Sequence, residues 1–182
     1  SAWSPIDPSG LSFPEDVIAV TTGDVTFSNS NTYFDTLSID PGASVTVAAG
    51  ASINANSATI LNSTSSTFSS LIVKGSINGT VNYNRYTALI GSEAGGTNDL
   101  ISAPVVGEIF GAFATANPNL AASNTLRAFA PYITSAGTYL NYDINLNKET
   151  TLSSGTGYRA ATKDGSTLKF TGTVSQADVA VF

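Results

Sequence analysis

The sequence predicts an all-β chain: a short parallel β-solenoid stack followed by an antiparallel β-sandwich, with one short helix. Three observations carry that prediction. Apolar and polar residues alternate in short runs broken by turn residues at roughly ten-residue intervals. Hydrophobic residues make up 42% of the chain and charged residues only 11%, so the polar surface is built from Ser, Thr and Asn, which suit sheet faces better than water-facing helices. Three such segments follow one another at roughly twenty-residue spacing, with self-similar phrases such as PGASVTV and AGASINA, as stacked coils require.

The first segment is expected over residues 1–90. From Asp16 to Asn84 the runs VIAVTTGDVTF, TLSIDPGASVTVAAGASINA and SLIVKGSINGTVNY read as strands of period two. In the middle run Leu37, Ile39, Val45, Val47 and Ile53 point one way, and the DPG step at Asp40–Gly42 supplies a tight turn. Coils stacked on one another account for the repeat; an antiparallel sandwich, whose strands recur at similar spacing, is the competing arrangement. VNYNRYT then alternates Val81, Tyr83 and Arg85 against Asn82, Asn84 and Tyr86. This strand has two readings: a structural cap over an open coil, or a surface on which Tyr83 or Tyr86 stacks on a sugar beside Arg85.

The second segment, 91–182, opens with the Gly-rich loop Gly91–Asp99. LISAPVVG reads as a buried strand with Pro104 marking an edge or bend, and EIFGAFATANP places Ile109, Phe110 and Phe113 on one helical face before Pro118 ends it. Two hairpins follow: NTLRAFAPYI with YLNYDINL across TSAGT, and GYRAAT with STLKFTGTV across KDG. The apolar end, Val179, Val181 and Phe182, is expected either to pack in a sheet or to continue into a longer chain, and the opening Ser1–Ala2 is expected from a processed or excised one.

The same composition excludes much chemistry. The chain has no Cys, His or Met, which removes disulfide frameworks, thiolate nucleophiles, and the commonest general base and transition-metal ligand. Catalysis would rest on carboxylates alone, and Asp99, Glu108, Asp143 and Glu149 sit in no recognisable motif, so the chain is not expected to be an enzyme. Its net charge is −6, and every Lys and Arg lies at or after Lys74, which leaves phosphate neutralisation, and hence nucleic acid, without support. No apolar run approaches the roughly twenty residues that cross a bilayer, so no membrane insertion is expected. No cofactor is expected; Ca²⁺ is the ion whose oxygen donors Asn141–Glu149 and Gly95–Asp99 supply, without EF-hand spacing. On a carbohydrate-binding reading Tyr132, Tyr139, Tyr142 and Tyr158 are the stacking candidates, and YLNYDIN puts Tyr139 and Tyr142 on opposite faces of a regular strand.

SLIVKGSINGTVNYNRYT, LISAPVVGEIFGAFATANP and GTGYRAATKDGSTLKFTGTV occur in this order. Together they resemble phrases of large secreted surface proteins of the Bacteroidetes, particularly flavobacteria, that leave the cell by type IX secretion. The resemblance spans Asp35 to Val181 and implies an extracellular or outer-surface protein with a solenoid-like part ahead of a sandwich-like one. The chain departs from that pattern by having no C-terminal sorting domain, which implies a fragment or a mature form. It also carries GGTNDL at Gly95–Leu100 where those proteins have a Trp, which puts any ligand site built on that Trp in doubt. In the same context DTL, Asp35–Leu37, resembles the Bacteroidetes O-glycosylation acceptor, with Thr36 as the modified residue.

The expected function is therefore a non-catalytic structural or adhesive module of a secreted surface protein, able to self-associate into filaments. Its expected partners are glycans, cell-surface polymers and copies of itself. The alternative is a carbohydrate-binding module attached to a polysaccharide-degrading enzyme.

Overall fold

The computed structural model describes residues 12–91 and 98–176. The chain divides into two compact units, Ser1–Asn82 and Tyr83–Phe182. The division falls within a strand, Val81–Tyr86, ahead of the expected 90/91 boundary.

The first unit is a parallel stack. Its strands are β1 (Val17–Val20), β2 (Asp24–Phe27), β3 (Thr32–Ile39), β4 (Ser44–Val47), β5 (Ser52–Leu61), β6 (Ser70–Val73) and β7 (Ser76–Asn78). β1, β3 and β5 pair in parallel, as do β2, β4 and β6, and β7 joins the first half of β5. Parallel pairing between successive coils is what a solenoid produces and an antiparallel sandwich does not. Each ladder aligns residues of like character: Val25, Val45 and Leu71; Phe27, Val47 and Val73; Val20, Ile39 and Leu61. Leu37, Ile39, Val45, Val47 and Ile53 are all fully buried, as their period-two spacing requires.

β3 and β5 are long because each turns a corner. Their register shifts between Phe34 and Thr36, opposite Ala55 and Ala58. At that corner the Asp35 carboxylate accepts the Ser57 hydroxyl at 2.6 Å and the Thr36 hydroxyl at 3.0 Å. The DPG turn closes with Ala43 N–H donating to Asp40 C=O at 3.0 Å, and Gly42 takes φ +89°, which the third position of a type II turn demands. Gly75 is required for a different reason: a Cβ there would lie 2.2 Å from the Ala51 carbonyl oxygen and 2.4 Å from that of Ala48. Two hydroxyls inside the stack, Thr32 and Thr59, are buried without a hydrogen-bond partner.

The strand that crosses the division is β8 (Val81–Tyr86). The second unit then contains β9 (Asp99–Ser102), α1 (Phe110–Ala116), β10 (Ala122–Ser123), β11 (Leu126–Arg127), β12 (Phe129–Ile133), β13 (Thr138–Tyr139), β14 (Gly157–Ala160) and β15 (Thr167–Gly172). Its larger sheet runs β13–β12–β14–β9, antiparallel throughout, while β15 lies beside β8 and β10 pairs with β11. The core is aromatic. Phe129 meets Tyr158 at 4.5 Å between ring centroids, Phe113 meets Phe170 at 4.7 Å and Phe129 at 4.8 Å, and Phe110 meets Tyr142 edge-on at 4.9 Å.

Several expectations change here. The helix starts at Phe110, with Phe110 and Phe113 buried as expected, but Ile109 is its extended N-cap residue and bridges Thr151 instead of joining the helical face. LISAPVVG is not buried throughout: Ile101, Ala103 and Val105 are buried while Leu100, Ser102 and Pro104 are exposed, because β9 is a sheet edge with one face in solvent. The TSAGT turn joins β12 to β13 as a hairpin, short because only Tyr132–Tyr139 and Ile133–Thr138 pair. GYRAAT and STLKFTGTV do not form a hairpin. The KDG turn exists, with Gly165 at φ +66°, but β14 enters the larger sheet and β15 the pair with β8. Tyr158 on β14 and Phe170 on β15 both pack against Phe129, so the two strands approach one aromatic core from different sheets. Residues 92–97 of the Gly-rich loop, and Val179, Val181 and Phe182, lie outside the described residues. Among the described residues no helix is long and apolar enough to cross a membrane.

Candidate functional site

The outer face of the larger sheet carries the most concentrated binding chemistry. Pairing places Pro131, Tyr158 and Ile101 in line on one face, with Tyr158 and Ile101 buried, and Ala130, Arg159 and Leu100 in line on the other. Tyr132 follows Ala130 by two residues and so shares the outer face, and Tyr139 stands directly opposite it on β13. The Tyr132 and Tyr139 rings meet edge-to-face at 5.1 Å, and the Arg159 guanidinium carbon lies 5.0 Å from the Tyr139 ring centroid. Tyr132 is 51% exposed and Leu100 69%. Tyr132, Tyr139, Arg159 and Leu100 thus form a platform of one exposed ring, a half-buried ring beneath a cation, and an exposed aliphatic side chain.

The expected split between Tyr139 and Tyr142 is realised, with Tyr139 outward and Tyr142 inward. Tyr142 packs on Phe110, Phe129 and Tyr158, and burial together with Tyr158 pushes its hydroxyl up to about 12. Tyr142 is half-buried against the aromatic core, whereas Tyr158 is fully buried within it. Tyr83, Arg85 and Tyr86 lie together on β8, which pairs with β15 and is not part of the sheet that carries Tyr139. All three are half-buried, and the Tyr86 hydroxyl lies against the KDG turn, 3.2 Å from where a Cβ on Gly165 would stand. Thr36 sits inside β3, flanked by Val17 and Ala58 on the neighbouring strands, with its hydroxyl bonded to Asp35. That places the acceptor residue in the middle of a paired strand.

The carboxylates are engaged separately. Asp99 accepts the Ala88 N–H at 2.6 Å. Asp143 accepts the backbone N–H groups of Asn145 and Leu146 and the Thr125 hydroxyl, which hold its carboxyl below the ordinary range and close the NYDINLN segment as a turn. Glu149 is exposed beside Lys148 at 3.9 Å. Glu108 is 5% exposed, and its Oε2 has no hydrogen-bond partner. Burial pushes its carboxyl up to about 7, against the opposing pull of the Thr171 backbone and Lys169. Among the described residues no three Asp or Glu gather in a way that could hold a metal ion.

Arg159 is the residue that sequence reasoning missed. GYRAAT alone gives no sign of Tyr139; the signal lies in strand order, because β12 sits between β13 and β14 and brings Tyr139 and Arg159 to one face. Comparison with protein-family models, with curated proteins and with solved structures returns no match.

Proposed function

We propose that this chain is a non-catalytic structural and adhesive module of a secreted surface protein, and that the Tyr132–Tyr139–Arg159 platform is its adhesive contact. The observation that carries this reading is the platform itself: two rings fixed on paired strands and in contact with one another, Tyr132 exposed and Tyr139 half-buried beneath Arg159. Side chains held in this way lose little freedom on binding, so a flat ligand gains contact at low entropic cost. The ladders of the first unit supply the structural half of the proposal, because every coil is bonded through its backbone to the next. The resemblance to type IX secretion cargo supports the extracellular location and the flavobacterial origin.

A second reading has the same platform in its favour: a carbohydrate-binding module attached to a polysaccharide-degrading enzyme. Retention on polysaccharide-coated surfaces and on whole cells tests both. Wild-type protein should be retained, and the double variant Tyr132→Ala/Tyr139→Ala should lose about tenfold in retention. Unchanged retention by the double variant would remove the platform from either reading, and reducing-sugar release from the same polysaccharides would overturn the non-catalytic assignment. Calorimetry with soluble oligosaccharides separates the two: tight monovalent binding favours the carbohydrate-binding module, whereas binding only to multivalent surfaces, or self-association in light scattering, favours the adhesive one.

A further inference from the structure

We propose that the outer face of the β13–β12–β14–β9 sheet takes an acidic polysaccharide, a pyranose ring packing on Tyr132 while a uronate carboxylate is held by Arg159. The inference rests on the platform being a glycan contact and names the glycan class. Its starting point is the state of the guanidinium. The Arg159 guanidinium carbon lies over the Tyr139 ring, 5.0 Å from its centroid, and the ion pair found among the described residues, Lys148–Glu149, does not involve it. A guanidinium is a planar fork of N–H donors, and that fork matches the two oxygens of a carboxylate better than it matches scattered hydroxyls.

The surroundings keep that cation available. On this face of the sheet stand Tyr132, Tyr139, Gly157, Arg159, Leu100, Ser102 and the fully buried Ala130, none of them acidic. The nearest acid in sequence on this sheet, Asp99, pairs with Ala160 on the inner side and spends its carboxylate on the Ala88 N–H. The acidity of the chain is uneven along the sequence. From Tyr83 onward there are six Lys and Arg against seven Asp and Glu, a difference of 6 − 7 = −1, while the remaining −5 of the net −6 lies before Tyr83. The spacing also fits a saccharide chain. Tyr132 lies diagonally across from Arg159, two residues beyond Ala130, the residue that pairs with it. Diagonal neighbours on one sheet face stand about 7–8 Å apart, within reach of a ring and its own or an adjacent carboxylate.

Affinity electrophoresis of the full chain in gels containing polygalacturonate, its fully methyl-esterified form, dextran sulfate or a neutral glucan provides the test. Polygalacturonate should retard the protein most, and esterification should weaken retention about tenfold by removing the charge while leaving the rings. Arg159→Lys should lose about tenfold, because it keeps the charge but not the fork, and Arg159→Gln should lose more. All variants are checked by circular dichroism and melting, and the exposed change Tyr132→Ala, which leaves Arg159 in place, serves as the second variant and should also weaken retention. Equal retention by the ester and the acid, or retention unaffected by Arg159→Lys and Arg159→Gln, would overturn the carboxylate assignment while leaving the adhesive reading intact. Stronger retention by dextran sulfate would assign the cation to sulfate esters and likewise overturn it. Loss of a dimer in light scattering on Arg159→Gln, with no polysaccharide retarding the wild type, would make the face a contact between copies of this chain and sink the proposal.

Discussion

The two units solve the burial problem in opposite ways. In the first, aliphatic residues stack on residues of like shape in the next coil, as Val25, Val45 and Leu71 do, so the core is a repeated local rule held by in-register backbone bonds. In the second, five rings from separated segments, Phe110, Phe113, Phe129, Tyr158 and Phe170, converge on one cluster, so the core is a single event of ring packing. The first arrangement tolerates side-chain change but not backbone displacement; the second should show the reverse sensitivity.

Gly75→Ala tests the first half of that contrast and should have the largest effect. Its Cβ would collide with two carbonyl oxygens, and backbone cannot swing away as a flexible side chain would. Destabilisation of more than about 4 kcal/mol is expected for the first unit, beyond the usual range for a point change. Hydrogen exchange should show amide protection lost across β4, β5 and β6 and kept across β12 and β14. Wild-type protection in β4–β6 would mean that the coils can separate, and that the backbone is not the limiting element. Phe129→Ala tests the other half. It removes the ring that meets Phe110, Phe113 and Tyr158, and should cost the second unit about 3–5 kcal/mol, read as a lowered urea midpoint. Truncating an aliphatic member of the stack, Val45→Ala, should cost less, because fewer buried atoms are lost.

The same contrast explains what the sequence could show. The stack was legible because period two at Leu37, Ile39, Val45 and Val47 and the turn at Asp40–Gly42 are local signals, and the coil repeat multiplies them. The corner in β3 and β5 was not, since DTL and NANS contain no Gly or Pro to announce it. In the second unit the local signals misled. Asp164–Gly165 makes the turn it advertises, but ring packing decided which sheet each flanking strand joined. Asn117 read only as the residue before the helix-ending Pro118. Its amide in fact donates to the carbonyls of Phe113 and Lys169 and accepts the Lys169 N–H at 2.7 Å, tying the helix end to β15. For the candidate site, the opposed directions of Tyr139 and Tyr142 were in the spacing, whereas the approach of Arg159 depends on a strand order that no short stretch encodes.

Polar burial sharpens the comparison further. Glu108 in the second unit has a folded pKa of about 7 against an ordinary value of 4.5. Below about pH 4.5 the carboxyl is neutral in both folded and unfolded chains, so its burial carries no charge penalty. As pH rises towards and through 7 the unfolded chain ionises freely while the folded one resists, and stability falls by on the order of 2–3 kcal/mol. Glu108→Gln stays neutral throughout. The stability of wild type minus that of this variant should therefore decline between pH 4.5 and 8 by that amount, measured as urea midpoints of the second unit. A difference that stays flat with pH would show that the carboxyl finds compensation when charged.

The smallest effect discriminates best, because one substitution should act with opposite signs in the two units. Thr59 and Thr162 are both fully buried. Thr59 stands in the aliphatic ladder beside Leu37 with its hydroxyl unpartnered, so it has the desolvation cost of a polar group and no bond to offset it. Thr162 donates to the Thr87 carbonyl at 2.8 Å and accepts the Ser166 N–H at 3.1 Å, fixing the turn that sends the chain from one sheet to the other. Valine preserves the branched shape and deletes only the hydroxyl. Thr59→Val should raise the stability of the first unit by about 1 kcal/mol, while Thr162→Val should lower that of the second by about 1–2 kcal/mol, since it leaves a buried N–H and a carbonyl unsatisfied. Paired denaturation curves for the two variants read the signs directly. Destabilisation by both would mean that Thr59 has a partner after all, and that the stack is held by side-chain hydrogen bonding as well as by its backbone ladders.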